Sequence, residues 1–335
     1  MSDNHQDREA NKTDLFKKKN FYQRPESSVL LCLVILIVLM GIFKTDTFLS
    51  VSNFFNMLKG MSSVGIMAIG MTLIIITAGI DLSVGSIMAV STMATARLLA
   101  EGFHPVLALL GGFGIGVLLG VINGLIITKI KVNPFITTLG MLSMGRGLAY
   151  FLTIVATEKS VASNISIDNA FILFIGGAYL GPIPVQVIIM LVLVVISSFL
   201  LNYTVLGRQI YAVGSNEEAA RLSGVNVTKV KVFVYATCGA LCALAGLIEA
   251  GMLSTAATSA GMGIELDVIA AVVIGGASLM GGRGSIWGAI LGAAIIAVIH
   301  NSFVQLRLPS YVQTITIGAV IILAVSLDQL RGKTK

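Results

Sequence analysis

Gly79-Ile80-Asp81-Leu82-Ser83-Val84 joins one long apolar run to the next, and the chain repeats the phrase far downstream as Gly263-Ile264-Glu265-Leu266-Asp267-Val268. Further on, Asn123, Lys129, Thr138 and Gly140 align with Asn301, Arg307, Thr316 and Gly318 at one constant offset. Five apolar runs separate the two units. An odd number sets the second unit upside down across a bilayer. Inverted repeats are frequent in transport folds, because two similar halves that exchange states give alternating access.

Composition places the repeat in a membrane. Hydrophobic residues make up 56% of the chain and charged residues 11%, with mean hydropathy +0.94. Soluble domains carry about 25% charged residues. Measured against the roughly 20 residues that cross the hydrocarbon, apolar runs fall at 28–43, 61–79, 84–100, 105–128, 134–156, 184–203, 232–252, 265–280, 286–306 and 310–329. The expected fold is an all-α polytopic membrane protein with ten transmembrane helices in two inverted five-helix halves. Phe54, Phe55, Met57 and Leu58 suggest a short surface helix before the second span.

Charge orients the bundle. Residues 1–27, with Lys17, Lys18, Lys19 and Arg24 beside the first run, are too long and polar for a secretory leader and read as an uncleaved cytoplasmic tail. The membrane domain then covers 28–330, and 331–335 form a second cytoplasmic tail. With the N-terminus inside, sixteen of the 22 Lys+Arg lie in inner segments, as the positive-inside rule requires. Segment 204–231 then faces the cytoplasm and 157–183 the exterior. Basic residues confined to the ends of apolar runs are topology signals, so the net charge of +6 does not imply a nucleic-acid partner.

The inner segment contains a polar island, Gly207 to Lys231, between two long apolar runs. Ser215 with Glu218 fits a capping box, Gly224 supplies a left-handed stop, and Asn226 can cap a second helix. Two short helices on the membrane surface are the expectation. Arg208, Arg221, Lys229 and Lys231 against Glu217 and Glu218 leave the island a net +2 (four minus two), and Ala219 and Ala220 permit close approach of a partner.

Gly112, Gly116, Gly120 and Gly124 recur every fourth residue in the fourth run, a stripe that lets a neighbouring helix approach closely. Asp81, Glu249, Glu265 and Asp267 sit at or near span ends, where an acid complements the helix dipole. Arg146 lies well inside the fifth run, where its charge requires a partner, a wet cavity or an escape to the interface. Cys32, Cys238 and Cys242 lie in apolar runs as small packing residues, and His5, His104 and His300 are too scattered in sequence for a constellation, so no metal site is expected. Gly332-Lys333-Thr334 ends like a phosphate loop, but Leu327 stands where its first glycine belongs. No catalytic cluster stands out, and this chain is not expected to hydrolyse ATP.

Gly70-Met71-Thr72, the stretch from Gly79 to Ser86, the island, and Glu265 through Gly276 together resemble the permease subunits of bacterial ABC importers for monosaccharides, most of all those for ribose. The resemblance runs from about residue 25 to 330. It implies a fold similar to vitamin B12-type importer permeases, a multi-pass protein of the bacterial cytoplasmic (inner) membrane with both termini cytoplasmic, and a translocation pathway at a homodimer interface. It implies three partners: a second copy of the chain, a cytoplasmic ATP-binding subunit with two nucleotide-binding modules, and an extracytoplasmic sugar-binding protein. ATP and Mg are used by the ATPase partner, with no cofactor on this chain. It also implies that Gly207, Arg208, Gly214, Asn216, Glu217, Ala219, Ala220, Arg221 and Gly224 belong to the loop that couples to the ATPase. Mildly polar pathway or gate candidates are Thr72, Asp81, Asn123, Asn133, Thr137, Thr138, Arg146 and Asn301. Allose, galactose or a furanosyl autoinducer are alternative cargoes. A secondary transporter, coupled through an intramembrane carboxylate such as Asp81, is the rival from another class.

Overall fold

In the computed structural model, residues 25–157 and 164–333 are described. The tail to Arg24 and residues 158–163, including Glu158 and Lys159, lie outside the described residues. The chain is mostly helix: α1 (Pro25–Phe43), α2 (Thr45–Phe48), α3 (Val51–Ile76), α4 (Val84–Ala100), α5 (Pro105–Leu125), α6 (Pro134–Thr157), α7 (Ala170–Gly177), α8 (Val185–Tyr203), α9 (Val205–Ser215), α10 (Glu217–Leu222), α11 (Val227–Leu253), α12 (Ile264–Ile274), α13 (Ile286–Gln305) and α14 (Ser310–Lys333). A π-helical turn, Ile126–Ile130, extends α5.

Six of these are long and apolar enough to cross a bilayer: α3, α5 with its π turn, α6, α8, α11 and α13. Shorter apolar helices occupy α1, α4 and α14. The run at 265–280 is not a full span. Its helix α12 has 11 residues, about 16 Å at 1.5 Å per residue, against about 30 Å of hydrocarbon. Gly276, Gly281 and Gly282 take positive φ beyond it, so the chain turns where hydropathy alone continued a helix. The expected surface helix at Phe54–Leu58 is instead the first part of α3, which starts at Val51 because Ser50 Oγ accepts from the backbone N–H of Asn53 at 3.2 Å.

Burial sorts the helices. From Met61 to Ile76, α3 is enclosed on nearly every side, as is α4 from Val84 to Ala96. By contrast α1, α6 and α8 expose Leu31, Ile42, Ile136, Phe151, Val195 and Phe199. Bare apolar faces of this extent are untenable in water and normal against lipid. The glycine stripe of α5 lies where it was expected to act: a side chain at Gly116, Gly120 or Gly124 would strike Gly239, Tyr235 or Val232 of α11, and one at Gly112 would strike Thr95 of α4. Two backbones therefore pack at closest approach.

The helix pairings repeat. Helix α4 packs on α5 and α6, as α12 packs on α13 and α14. Across the middle α5 packs on α11 as α13 packs on α3, and α4 meets α11 as α12 meets α3. The segment before α8 is structured where described: Asn169 Oδ1 caps α7, which packs on α11. A two-stranded antiparallel ladder pairs Ile165 with Ala256 and Ser166 with Thr255.

Candidate functional site

The polar island is a folded corner of three helices. Thr204 caps α9, its Oγ1 accepting from Gly207 N–H at 3.1 Å. A side chain at Gly207 would collide with the carbonyl oxygens of Leu200 and Leu201, so glycine is what lets α9 fold back on the end of α8. The cap of α10 is Asn216 rather than Ser215: Asn216 Oδ1 accepts from Ala219 N–H at 2.9 Å, while Ser215 Oγ donates to Tyr211 O within α9. The expected capping box was one residue out of register, and Glu218 pairs with Arg221 at 2.6 Å instead. Gly224, at φ 85°, ends α10 as expected. Asn226 does cap a helix, accepting from Lys229 N–H at 3.0 Å, but that helix is the 27-residue α11 and not a second surface turn.

This corner meets the bundle at Gly214. Its Cα lies against the carbonyl of Ile76 at the end of α3 and against Gly282. Gly282 N–H donates to the same Ile76 carbonyl at 2.9 Å, and Tyr211 OH donates to Gly284 O at 2.8 Å. The end of α9 is thus wedged between the end of α3 and the 275–285 turn. On the free side, Arg208, Asn216, Glu217, Ala219 and Arg221 are exposed, Ala220 is buried beneath them, and Lys231 pairs with Glu217 at 2.6 Å. Sequence reasoning missed Leu222, 80% exposed at the end of α10. A lone leucine in a short polar helix was the available signal.

The first copy of the repeated phrase forms a closed buried network. Asp81 Oδ1 accepts from Ser83 N–H at 2.8 Å and from Ser83 Oγ at 2.5 Å; Ser83 Oγ accepts from Asn123 Nδ2 at 3.0 Å. All three residues are fully buried. Among the described residues, Asp81 Oδ2 and Asn123 Oδ1 have no donor. Segment 77–83 lies between the helices, and burial pushes the Asp81 carboxyl above the ordinary carboxylate range, which a proton on Oδ2 would suit.

The other pathway candidates are spread over different helices, and Asn301 lines a cavity beside α13. Thr72 is buried and donates to Ala68 O of its own helix at 2.6 Å. Asn133, Thr137 and Thr138 form the first turn of α6, with Asn133 Oδ1 accepting from Phe135 N–H and the threonines donating to Asn133 O and Pro134 O. Arg146 finds its partner in backbone: Nη1 donates to Thr258 O at 3.2 Å and to Ala260 O at 2.6 Å, with the Glu265 carboxylate acting on it electrostatically. Asn301 exchanges hydrogen bonds with Asn53, at 2.7 and 3.0 Å, and Gln305 Nε2 adds a third to Asn53 Oδ1.

The histidine judged isolated in sequence has company. His300 on α13 lies 3.1 Å from Asp267 Oδ2 on α12 and 2.5 Å from Gln313 Nε2 on α14. Three helices are tied by one imidazole, and only tertiary packing brings them together.

Comparison with known proteins assigns the context. Residues 53–325 match the family described as branched-chain amino acid transport system / permease component. The chain is 43% identical over 300 residues to the ribose import permease protein of Escherichia coli (strain K12), covering 88% of this chain and 92% of that one. The ribose import permease protein of Bacillus subtilis (strain 168) is 44% identical over 300 residues, at 90% and 91% coverage. The fructose import permease protein of Rhizobium meliloti is 37% identical over 323 residues, at 95% and 89% coverage. No solved structure matches the chain.

Proposed function

The chain belongs to the branched-chain amino acid transport system / permease component family, and from that membership we propose that it is the membrane subunit of an ATP-driven monosaccharide importer whose cargo is ribose. The observation that carries this reading is identity above 40% to two ribose import permeases along nearly their whole length. The lower identity to a fructose import permease keeps other small sugars as the alternative cargo. The repeated helix pairings and the nine apolar helices plus the half-length α12 support ten membrane elements in two inverted halves, similar to vitamin B12-type permeases. In this reading two copies form the pathway, and a binding protein delivers sugar from outside. A separate subunit with two nucleotide-binding modules consumes ATP and Mg inside, and the chain itself carries no cofactor. Both termini lie in the cytoplasm.

The island supplies the mechanics. A cleft on the ATPase grips the exposed side of α10, with Leu222 as the apolar anchor and the two ion pairs as its rim. Helix α10 is joined to α9 without a flexible linker, and α9 is wedged between α3 and the 275–285 turn at Gly214. A push on α10 is therefore delivered to two broken-helix regions that lie in opposite halves of the repeat. A rigid element that shears packed helices is a known switching mode.

The test is sugar-stimulated ATPase activity in the reconstituted complex. Glu217→Lys with Arg221→Glu breaks both ion pairs, and Leu222→Asp removes the anchor; both act on exposed positions, so the chain folds. Both variants are expected to abolish stimulation. Normal stimulation in either overturns the coupling assignment. Ribose uptake that collapses with a protonophore and survives ATP depletion overturns the importer reading in favour of an ion-coupled carrier.

A further inference from the structure

A cavity of about 290 Å³ opens between α3, α12, α13 and α14, and Asp267, His300 and Gln313 line it together with Asn56 and Gly60. We propose that this cavity, which the pathway candidate Asn301 also lines, is a monosaccharide-binding subsite within a single copy of the chain; the proposal rests on the importer reading. Its size sits at the lower edge of small-ligand pockets, which run from about 300 to 1,000 Å³. That suits one sugar ring and excludes a disaccharide.

The lining chemistry selects a neutral polyol. Among the described residues no lysine or arginine lines the cavity, so an anion finds no counter-charge there, and the one carboxylate in that lining is already engaged by His300. With Gln313 Nε2 donating to His300 Nδ1, the imidazole Nε2–H donates to Asp267 Oδ2, which fixes the ring and the carboxylate in place. The second carboxylate oxygen and the Asn56 amide make no hydrogen bond within the described residues. An amide and a carboxylate oxygen supply both a donor and acceptors, the pattern that vicinal hydroxyls require. Met61, Ile264 and Ile296 form an apolar floor for the C–H face of the ring.

Gly60 makes the idea testable. A Cβ there meets nothing within 4 Å, so a side chain enters the cavity without disturbing the helices around it. Full-length chain carrying Gly60→Cys and Cys32→Ser is purified in nanodiscs and labelled with a small thiol reagent; Cys238 and Cys242 are buried and stay silent. D-ribose is expected to slow labelling about threefold at twice its dissociation constant, since protection follows 1 + [L]/Kd. Asp267→Asn and Asn56→Ala should each weaken that protection. Gly60→Leu should lower ATP-driven ribose uptake by the complete complex while the protein stays monodisperse. Protection by sodium chloride but not by ribose reassigns the cavity to a cation and overturns the proposal. So does full labelling in saturating ribose, or ribose protection indifferent to Asp267→Asn and Asn56→Ala. Labelling needs no transport, so ribose protection without ribose uptake would sink the importer reading and leave the subsite standing.

Discussion

Residues 79–84 and 263–268 share one pattern, yet the first copy keeps its polar side chains buried while the second presents one of them to a cavity. In the first, Asp81 hydrogen-bonds the residue two places on, and Ser83 passes the network to Asn123, all without access to solvent. In the second, the acid is Glu265, whose Oε2 is buried with no hydrogen bond among the described residues, and Ser83 is replaced by Asp267, which pairs with His300. The difference follows from what precedes each copy. Helix α3 runs to Ile76 and turns at Ala78, φ 57°, beneath the island, where Gly214 and Gly281 seal it. The second copy follows a nine-residue excursion, 254–262, tied to the strand at 165–166, and Gly263 at φ 82° starts α12 near the cavity. One copy has become a packing node and the other a polar, partly open one. Substitutions in the two should therefore differ in size and in kind.

The largest effect belongs where the copies touch. A side chain at Gly85 would collide with the carbonyl of Gly261 and come within 3.1 Å of Glu265 Oε2. Gly85→Val is expected to destabilise by about 3 kcal/mol or more, the upper range of overpacking, because backbone has to move. Size-exclusion of the detergent-solubilised chain reads the result as loss of the monodisperse peak. A normal peak would mean that the two copies are not in contact.

Asp81 ranks next. Asp81→Ala strands the N–H and hydroxyl donors of Ser83 in a buried site, at about 1–3 kcal/mol each. Asp81→Asn keeps the acceptor and places an N–H where Oδ2 has no donor, so it should be close to neutral. The pH dependence separates the two copies further. A carboxyl whose folded pKa is raised favours folding below its unfolded pKa and loses that contribution as pH rises toward the folded value. Asp81→Asn should therefore gain on the wild type between acid and neutral pH in a thermal melt. A flat difference would show that the Asp81 carboxyl titrates alike in the folded and unfolded chain.

The membrane class, most helix positions and the island were legible because each rests on local chemistry: long apolar runs, a glycine stripe, caps and a left-handed stop. Errors came where a neighbour decides. The Asn216 cap differs from the expected Ser215 cap by one residue, and both residue types cap well, so only the end of α9 settles it. The break after Ile274 is hidden because Gly275 and Gly276 continue an apolar run that a hydropathy window cannot divide. His300, Asp267 and Gln313 are separated by 33 and 13 residues in sequence and meet through packing alone. Polarity alone does not mark a pathway residue, since the Thr72 and Thr138 hydroxyls each donate to a carbonyl four residues back in the chain.

The smallest effect, and the one that sharpens the comparison most, is at Asp267. The His300 and Asp267 side chains are 36% and 15% exposed where the cavity opens beside them. Asp267→Asn should cost less than about 1 kcal/mol of stability, the net worth of a typical hydrogen bond. The amide oxygen can still accept from the imidazole, so the three helices stay tied. If instead this change unfolds the chain as Gly85→Val does, the second copy is a packing node like the first. The asymmetry between the halves would then be one of sequence only, and the open polar end of the repeat would have no separate task.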